Sequence, residues 1–265
     1  MKKHFRHHIF LAFNPLFFLV ALFCEQTATF AQPIAQETFE AFNVAPFSGG
    51  SNSGVGQWSG FWMVDNSDRL AIKDNRPDFA MKSPGMGTTN GQKQSLVLRT
   101  STGSSLAYRD YTPFDIPFYI SFLLSIDSVG TGGGFLDLLL YRGSTGAEVI
   151  RLVPDIDRQA GAFYFKGTSG AFNAIPSQPF GDPMLIVMKI QDPQLTSSAA
   201  IRFNPDATTT YSNSYVGQIS GPPIYFGRIG FRVGRTTTSG SDSIFRVDEL
   251  KIGFSRADGG NSSFR

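Results

Sequence analysis

Histidine and cysteine are almost missing from this chain of 265 residues: it holds one cysteine, Cys24, and three histidines, His4, His7 and His8. All four fall in a leader-like opening stretch. That stretch begins with Lys2, Lys3 and Arg6 and runs apolar from Ile9 to Phe23, broken by Asn14 and Pro15. It closes with Thr29 and Ala31 at the −3 and −1 positions of a cleavage site before Gln32. A positive start, a short apolar middle and a small-residue exit describe a secretory signal peptide over residues 1–31. The apolar run is too short and too broken for a comfortable bilayer span. Phe23 is bulky where a lipobox before Cys24 needs a small residue, so lipidation is not expected.

Without that segment the chain has neither thiol nor imidazole. This excludes disulfides, Cys–His and Ser–His–Asp nucleophiles, and zinc sites built from His or Cys. A secreted protein of this length can bury enough core to do without disulfides. Charge is also lacking. Losing Lys2, Lys3, Arg6 and Glu25 leaves 20 basic and 20 acidic side chains. A neutral balance recommends neither nucleic acid nor an anionic membrane as partner. Long apolar runs are absent after residue 31. The longest candidate, MLIVMKIQ (184–191), is far too short to cross a membrane.

What is present is alternation. FYISFLLSI sets Phe118, Ile120, Phe122, Leu124 and Ile126 against Tyr119, Ser121, Leu123 and Ser125. Ile229, Phe231 and Val233 alternate with Arg228, Gly230 and Arg232. Shorter strands are expected at 68–73, 95–100, 105–110, 135–142, 148–153, 162–167, 184–191 and 200–205. Gly-, Pro-, Asn- and Asp-rich turn clusters such as SPGMG, RGSTG, NPD and SGPP separate them. No long segment shows a 3.6-residue period. Many short strands at this spacing predict an all-β protein, a sandwich or barrel. No linker divides residues 32–258, which read as one domain; 259–265 read as a disordered tail.

The closing stretch IFRVDELKIGFSRAD (244–258) poses a problem. At period 2, Asp248 shares a face with Leu250, Ile252 and Phe254. A carboxylate among apolar side chains is costly unless matched. An Arg can match it (Arg228, Arg232 and Arg246 are candidates), as can backbone N–H groups or a calcium ion. Alternatively, a β-bulge turns it outward.

FEAFNV (39–44), FYISFLLSIDS (118–128), GGGFLDLLLYRG (132–143) and VDELKIGFSRAD (247–258) together resemble bacterial concanavalin A-like, laminin-G-like secreted domains. The order and the terminal placement carry the resemblance. It departs where such closing motifs often have a Trp after the glycine; here Phe254 and Arg256 stand. The resemblance implies a two-sheet antiparallel jelly-roll β-sandwich whose first and last strands pair, with FEAFNV beside VDELKIG. It also implies a calcium ion at Asp248, with Glu40 as a neighbour. Members of such families include lectins, carbohydrate-binding modules, glycan-cleaving enzymes and surface proteins.

For a ligand, GQWSGFWMVDNSDR (56–69) holds both tryptophans. Trp58 and Trp62 could stack on sugar rings, with Asp65, Asn66 and Asp68 meeting the hydroxyls; the competing reading places Trp62 in the core. Catalysis is not expected. Glycan hydrolases of this fold carry Glu-x-Asp-x-x-Glu on one strand face, and no such stretch exists. Asp155 and Asp157 flank a turn-like VPDID. YFKG (164–167) faintly resembles polysaccharide lyases, whose histidine-bearing strand is missing. GTGGG (130–134) has no helix behind it to hold a phosphate. The expectation is a secreted or extracellular, non-catalytic domain, in the periplasm or at the cell surface in the alternative, that binds a glycan or cell-surface component. A structural or adhesive surface protein, or a glycan-cleaving enzyme, are the other readings.

Overall fold

The computed structural model describes residues 34–50, 54–74, 94–114, 116–142, 145–154, 163–166, 172–174, 183–190, 197–203, 215–219, 226–235 and 237–254. The expected signal peptide and tail, with Asp155 and Asp157, lie outside these residues. The described strands are β1 (Ala35–Glu37), β2 (Val55–Gly56), β3 (Met63–Asp65), β4 (Leu70–Asp74), β5 (Gln94–Arg99), β6 (Ser104–Phe114), β7 (Phe118–Ser128) and β8 (Gly134–Arg142). They continue with β9 (Thr145–Pro154), β10 (Phe163–Lys166), β11 (Phe172–Ala174), β12 (Met184–Ile190), β13 (Ser197–Phe203), β14 (Tyr215–Ile219), β15 (Phe226–Arg235) and β16 (Ile244–Gly253). One 3-10 turn, Ser67–Arg69, is the only helical element among the described residues.

The strands form two antiparallel sheets. The nine-stranded sheet runs β14–β13–β12–β7–β16–β1–β2, with β5 paired to both β16 and β4; the seven-stranded sheet runs β11–β10–β9–β8–β15–β6–β3. This is the all-β sandwich that the alternation implies, in the two-sheet antiparallel jelly-roll form that the resemblance implies. The core lies between the sheets. Phe118, Ile120, Phe122, Leu124 and Ile126 of β7 face Leu136, Leu138 and Leu140 of β8 and Ile229, Phe231 and Val233 of β15. Phe122 and Phe231 meet edge to face across the layer, 5.5 Å between ring centroids.

The first and last strands do pair, with Ala35 opposite Ile252 and Glu37 opposite Leu250. The paired residues are not those expected. FEAFNV lies past the end of β1, in a bend and turn, and the pairing strand is Ala35–Glu37. Phe39 explains the difference: it adopts φ 59, which ends the strand and drops its ring into the core.

β16 answers the problem of Asp248. Phe245 and Val247 point into the core, but so do Leu250 and Ile252. An odd set is followed by an even set, so the alternation changes phase between 247 and 250. The register against β7 shows the cause. Asp248 pairs with Leu123 and Lys251 with Ser121, three residues on one strand spanning two on the other. This is a β-bulge. Glu249 carries it at φ 53, a left-handed conformation that costs a non-glycine residue roughly 1–2 kcal/mol. Asp248 therefore does not share a face with Leu250 and Ile252. It lies opposite Leu123 on the outer side of the sheet, 1 % exposed, and its Oδ1 accepts the N–H of Glu249 at 2.8 Å. Phe254, expected in the buried set, lies beyond the strand and is exposed.

One ion pair crosses the sandwich. Arg109 of β6 donates from Nη1 to Glu37 Oε2 of β1 at 2.8 Å, and both side chains are fully buried. Trp62 Nε1 donates to the same Oε2 at 3.0 Å, the N–H of Phe39 to Oε1 at 2.9 Å, and Arg109 Nε to the carbonyl of Gly60 at 2.9 Å. Trp58 caps the pair: the Arg109 guanidinium lies 4.6 Å from its ring centroid. Burial pulls the Arg109 pKa down, and the charge of Glu37 opposes that pull.

Two outcomes follow from this core. Glu37→Gln strands a buried guanidinium and is expected to lower unfolding stability in urea by about 3–5 kcal/mol. Adding Arg109→Met should recover a large part of the loss; a single variant within about 1 kcal/mol of wild type would contradict the pair's role. Burial also raises the pKa of the Tyr111 phenol far above its ordinary value of 10.0. Below pH 10 both folded and unfolded states keep that proton, so nothing changes. Above it only the unfolded chain ionises, and stability falls. Between pH 9 and pH 11 Tyr111→Phe should lose about 1.4 kcal/mol less than wild type, measured by urea unfolding at each pH.

Candidate functional site

The segment expected to bind a ligand is divided by the fold. Alternation along β3 sends Trp62 and Val64 inward and Phe61, Met63 and Asp65 outward. Trp62 is 0 % exposed, and its indole packs on Phe39, Phe47 and Trp58. It is a core residue and no platform for a sugar. Trp58 is half-buried, its Nε1 donates to the carbonyl of Gln36, and its ring covers Arg109. It too is committed to the sandwich. Asn66 takes a left-handed turn at φ 59, and Asp68 lines a cavity of about 190 Å³ with Arg69, Lys73 and Arg99 at β4 and β5. Asp65 alone reaches the outer face of the seven-stranded sheet, opposite Leu106.

That face carries a cluster absent from the expected set. Arg228, on β15, pairs with Asp110 on β6 and with Tyr141 on β8. Its guanidinium bonds the Asp110 carboxylate through Nε and through Nη2, the latter at 3.1 Å. The same guanidinium lies 4.3 Å from the centroid of Tyr108 and 5.6 Å from that of Tyr141. The two rings are 6.1 Å apart, and both are half-buried. The hydrogen bond to Asp110 raises the Arg228 pKa further above its usual value, against a smaller opposing effect of burial. Two residues along β15, Gly230 lies between Tyr108 and Leu139. A Cβ there would come within 2.9 Å of both the Ala107 carbonyl and Tyr108 Cβ, so the glycine lets Tyr108 lie close over the strand. Next comes Arg232, whose Nη2 is 2.6 Å from Asp137 Oδ2 and whose guanidinium sits 6.0 Å from Phe135. At the edge, Phe61 and Met63 are more than half exposed, with Met63 opposite Tyr108.

The arrangement offers flat, partly open aromatic surface, fixed guanidinium donors and carboxylate acceptors on one rigid sheet. That mixture suits a ligand with apolar faces and many hydroxyls. In the sequence the signal was the outward set of FGRIGFRVGR, Arg–Gly–Arg–Gly at every second position. Arg228 and Arg232, expected as candidate partners of Asp248, pair with Asp110 and Asp137.

Asp248 and Glu40, expected as neighbours at a calcium ion, lie on different elements, β16 and the turn after β1. Calcium takes six to eight oxygens. Each of these carboxylates instead accepts a backbone N–H, from Glu249 and from Gln94 at 3.0 Å, and among the described residues no group of three or more His, Cys, Asp or Glu gathers to hold a metal. The bulge turns Asp248 off the core face and brings the Glu249 N–H to its Oδ1. The melting temperature is expected to be the same in calcium and in EDTA. A rise with calcium that Asp248→Asn abolishes would establish a calcium site after all.

No family model matches the chain, and no curated protein matches it. Among solved structures it is similar to alginate lyase A1-II′ of polysaccharide lyase family 7, at 12 % identity over 63 % of this chain and 81 % of that one, with a TM-score of 0.44. It is similar to an uncharacterized protein from Mycobacterium paratuberculosis, at 11 % identity over 82 % and 98 % of the two chains, with a TM-score of 0.47. It is also similar to the cellulose induced protein Cip1, at 11 % identity over 73 % and 91 %, with a TM-score of 0.43. Likeness at this level assigns no activity to the chain.

Proposed function

We propose that the protein is a secreted, non-catalytic glycan-binding module whose ligand lies on the outer face of the seven-stranded sheet. The observation that carries this reading is the Tyr108–Arg228–Tyr141 cluster, closed at one side by Asp110 and flanked by exposed Phe61 and Met63. Half-buried rings held by their neighbours present a stacking surface at little conformational cost. The guanidinium is held in place by Asp110 before any ligand arrives. The non-catalytic part rests on the acids inside the cluster. Asp110 and Asp137 are each ion-paired to an arginine, and the sequence lacks the Glu-x-Asp-x-x-Glu stretch of glycan hydrolases. Secretion rests on the opening 31 residues. No described helix is long and apolar enough to cross a membrane.

A glycan array with the chain from Gln32 onward tests the reading. Binding is expected, and Tyr108→Ala, Tyr141→Ala and Arg228→Ala should each weaken it by about tenfold or more, a change of about 1.4 kcal/mol, while melting stays near wild type. Trp58→Ala should do the reverse, lowering the melting temperature through its cover over Arg109. A blank array would overturn the reading, and release of reducing ends from a bound glycan would overturn its non-catalytic part.

A further inference from the structure

The outer face of the nine-stranded sheet holds the cavity of about 190 Å³ where β4 meets β5. The register makes its floor. Ala71 of β4 lies opposite Val97 of β5, and Pro46 bridges Ala71 from the other side. Leu70 and Ile72 of β4 and Leu96 and Leu98 of β5 take the core, so Ala71 and Val97 face outward. Ala71 is a short side chain between two long cations at alternate positions, Arg69 and Lys73, and a hollow forms between them. Arg99, two residues along β5 from Val97, closes one end with Ile244, its partner on β16. Since Leu70 pairs with Leu98 and Lys73 with Ser95, Arg69 and Arg99 stand at that end of the floor and Lys73 at the other. The lining thus holds three cations and one acid, the exposed Asp68. Arg99 Nε lies 2.8 Å from Asp242 Oδ2, but that carboxylate also serves Arg235, at 3.1 Å. Among the described residues no hydrogen bond or ion pair engages the side chain of Arg69 or Lys73.

We propose that this cavity is a second binding site, independent of the aromatic face on the other sheet, and that it takes a small organic anion, a carboxylate or a phosphate ester. Guanidinium groups hold carboxylate and phosphate oxygens through paired, charge-assisted hydrogen bonds, and an ammonium adds a point charge. Arg69 and Lys73 are open to such a group from opposite ends of the floor, and Arg99 from beside Arg69. The floor argues for an organic ligand. Pro46, Ala71, Val97 and Ile244 offer apolar surface that an inorganic ion would leave unused. The volume argues for a small one, since sites for drug-sized ligands run to about 300–1,000 Å³. Asp68 argues against a ligand charged along its whole length, because a second anionic group at the rim would meet a carboxylate.

The experiment labels the Ala, Val and Ile methyl groups of the chain from Gln32 onward and follows them by NMR as benzoate, phenyl phosphate, inorganic phosphate or neutral benzamide is added. Benzoate or phenyl phosphate is expected to shift the methyls of Ala71, Val97 and Ile244 and to bind at least about tenfold more tightly than benzamide or inorganic phosphate. Which of the two binds more tightly identifies the head group, and added salt should weaken it. Arg69→Gln with Lys73→Gln should weaken binding by about tenfold or more with the melting temperature unchanged, because neither side chain ties down another part of the protein. Asp68→Asn should tighten it, and Tyr108→Ala, on the other sheet, should leave it as it was. No shift of these methyls by either organic anion at about 10 mM overturns the proposal, as does benzamide binding as tightly as benzoate or full affinity in the double variant. Inorganic phosphate binding as tightly as phenyl phosphate overturns the role of the floor. None of these results bears on the glycan reading.

Discussion

A buried carboxylate ties the two sheets of the sandwich together. Glu37 lies on β1 in the nine-stranded sheet, and its oxygens take donors from Arg109 in the seven-stranded sheet, from Trp62 in the segment entering β3, and from its own backbone at Phe39. Hydrophobic burial between two sheets is large but not directional. It would tolerate small slides of one sheet over the other. A buried ion pair with four directed hydrogen bonds tolerates few, because any slide that breaks it leaves a charge in a dry core. The aromatic residues around it, Phe39, Phe47, Trp58, Trp62 and Tyr111, fill the space that keeps water away.

The same lattice fixes the outer face. Arg109 and Tyr111 point inward from β6, so Tyr108 and Asp110 must point outward from it. The position of Arg109 thus sets the phase that brings Tyr108 and Asp110 to Arg228. Core and candidate site are the two faces of one strand, and a shift that harmed one would move the other. This is a physical reason for a binding surface to stand on a sheet rather than on loops.

Much of the fold could be read from alternation. β5, β6, β7, β8, β12, β15 and β16 stand close to where the period-2 pattern puts them, because each buries one side in the same core. The short strands β1, β2 and β3 were not legible. Two or three residues carry no period, and their pairing is decided by partners far along the chain. The bulge was among the readings offered for Asp248 and is the one the structure takes, but its place at Glu249 was not legible, because no glycine or proline marks it. Of the two readings offered for Trp62 the structure takes the core one. Trp62 went inward because its neighbour in space is Glu37, twenty-five residues earlier. The residues on the outer face were ordinary ones, Tyr, Arg, Asp and Gly, and only cross-strand register collects them.

The pairing of β1 has a consequence for the order in which the protein can be completed. Among the described strands β1 pairs only with β2 and β16, and β16 spans Ile244–Gly253. During synthesis the first strand therefore waits for the last. Until then Glu37 has no sheet to belong to, and Arg109 faces an unfinished wall. Contacts that close so long a loop are slow to form. Every other described strand is made before β16, and β16 is the piece that locks β1 into place.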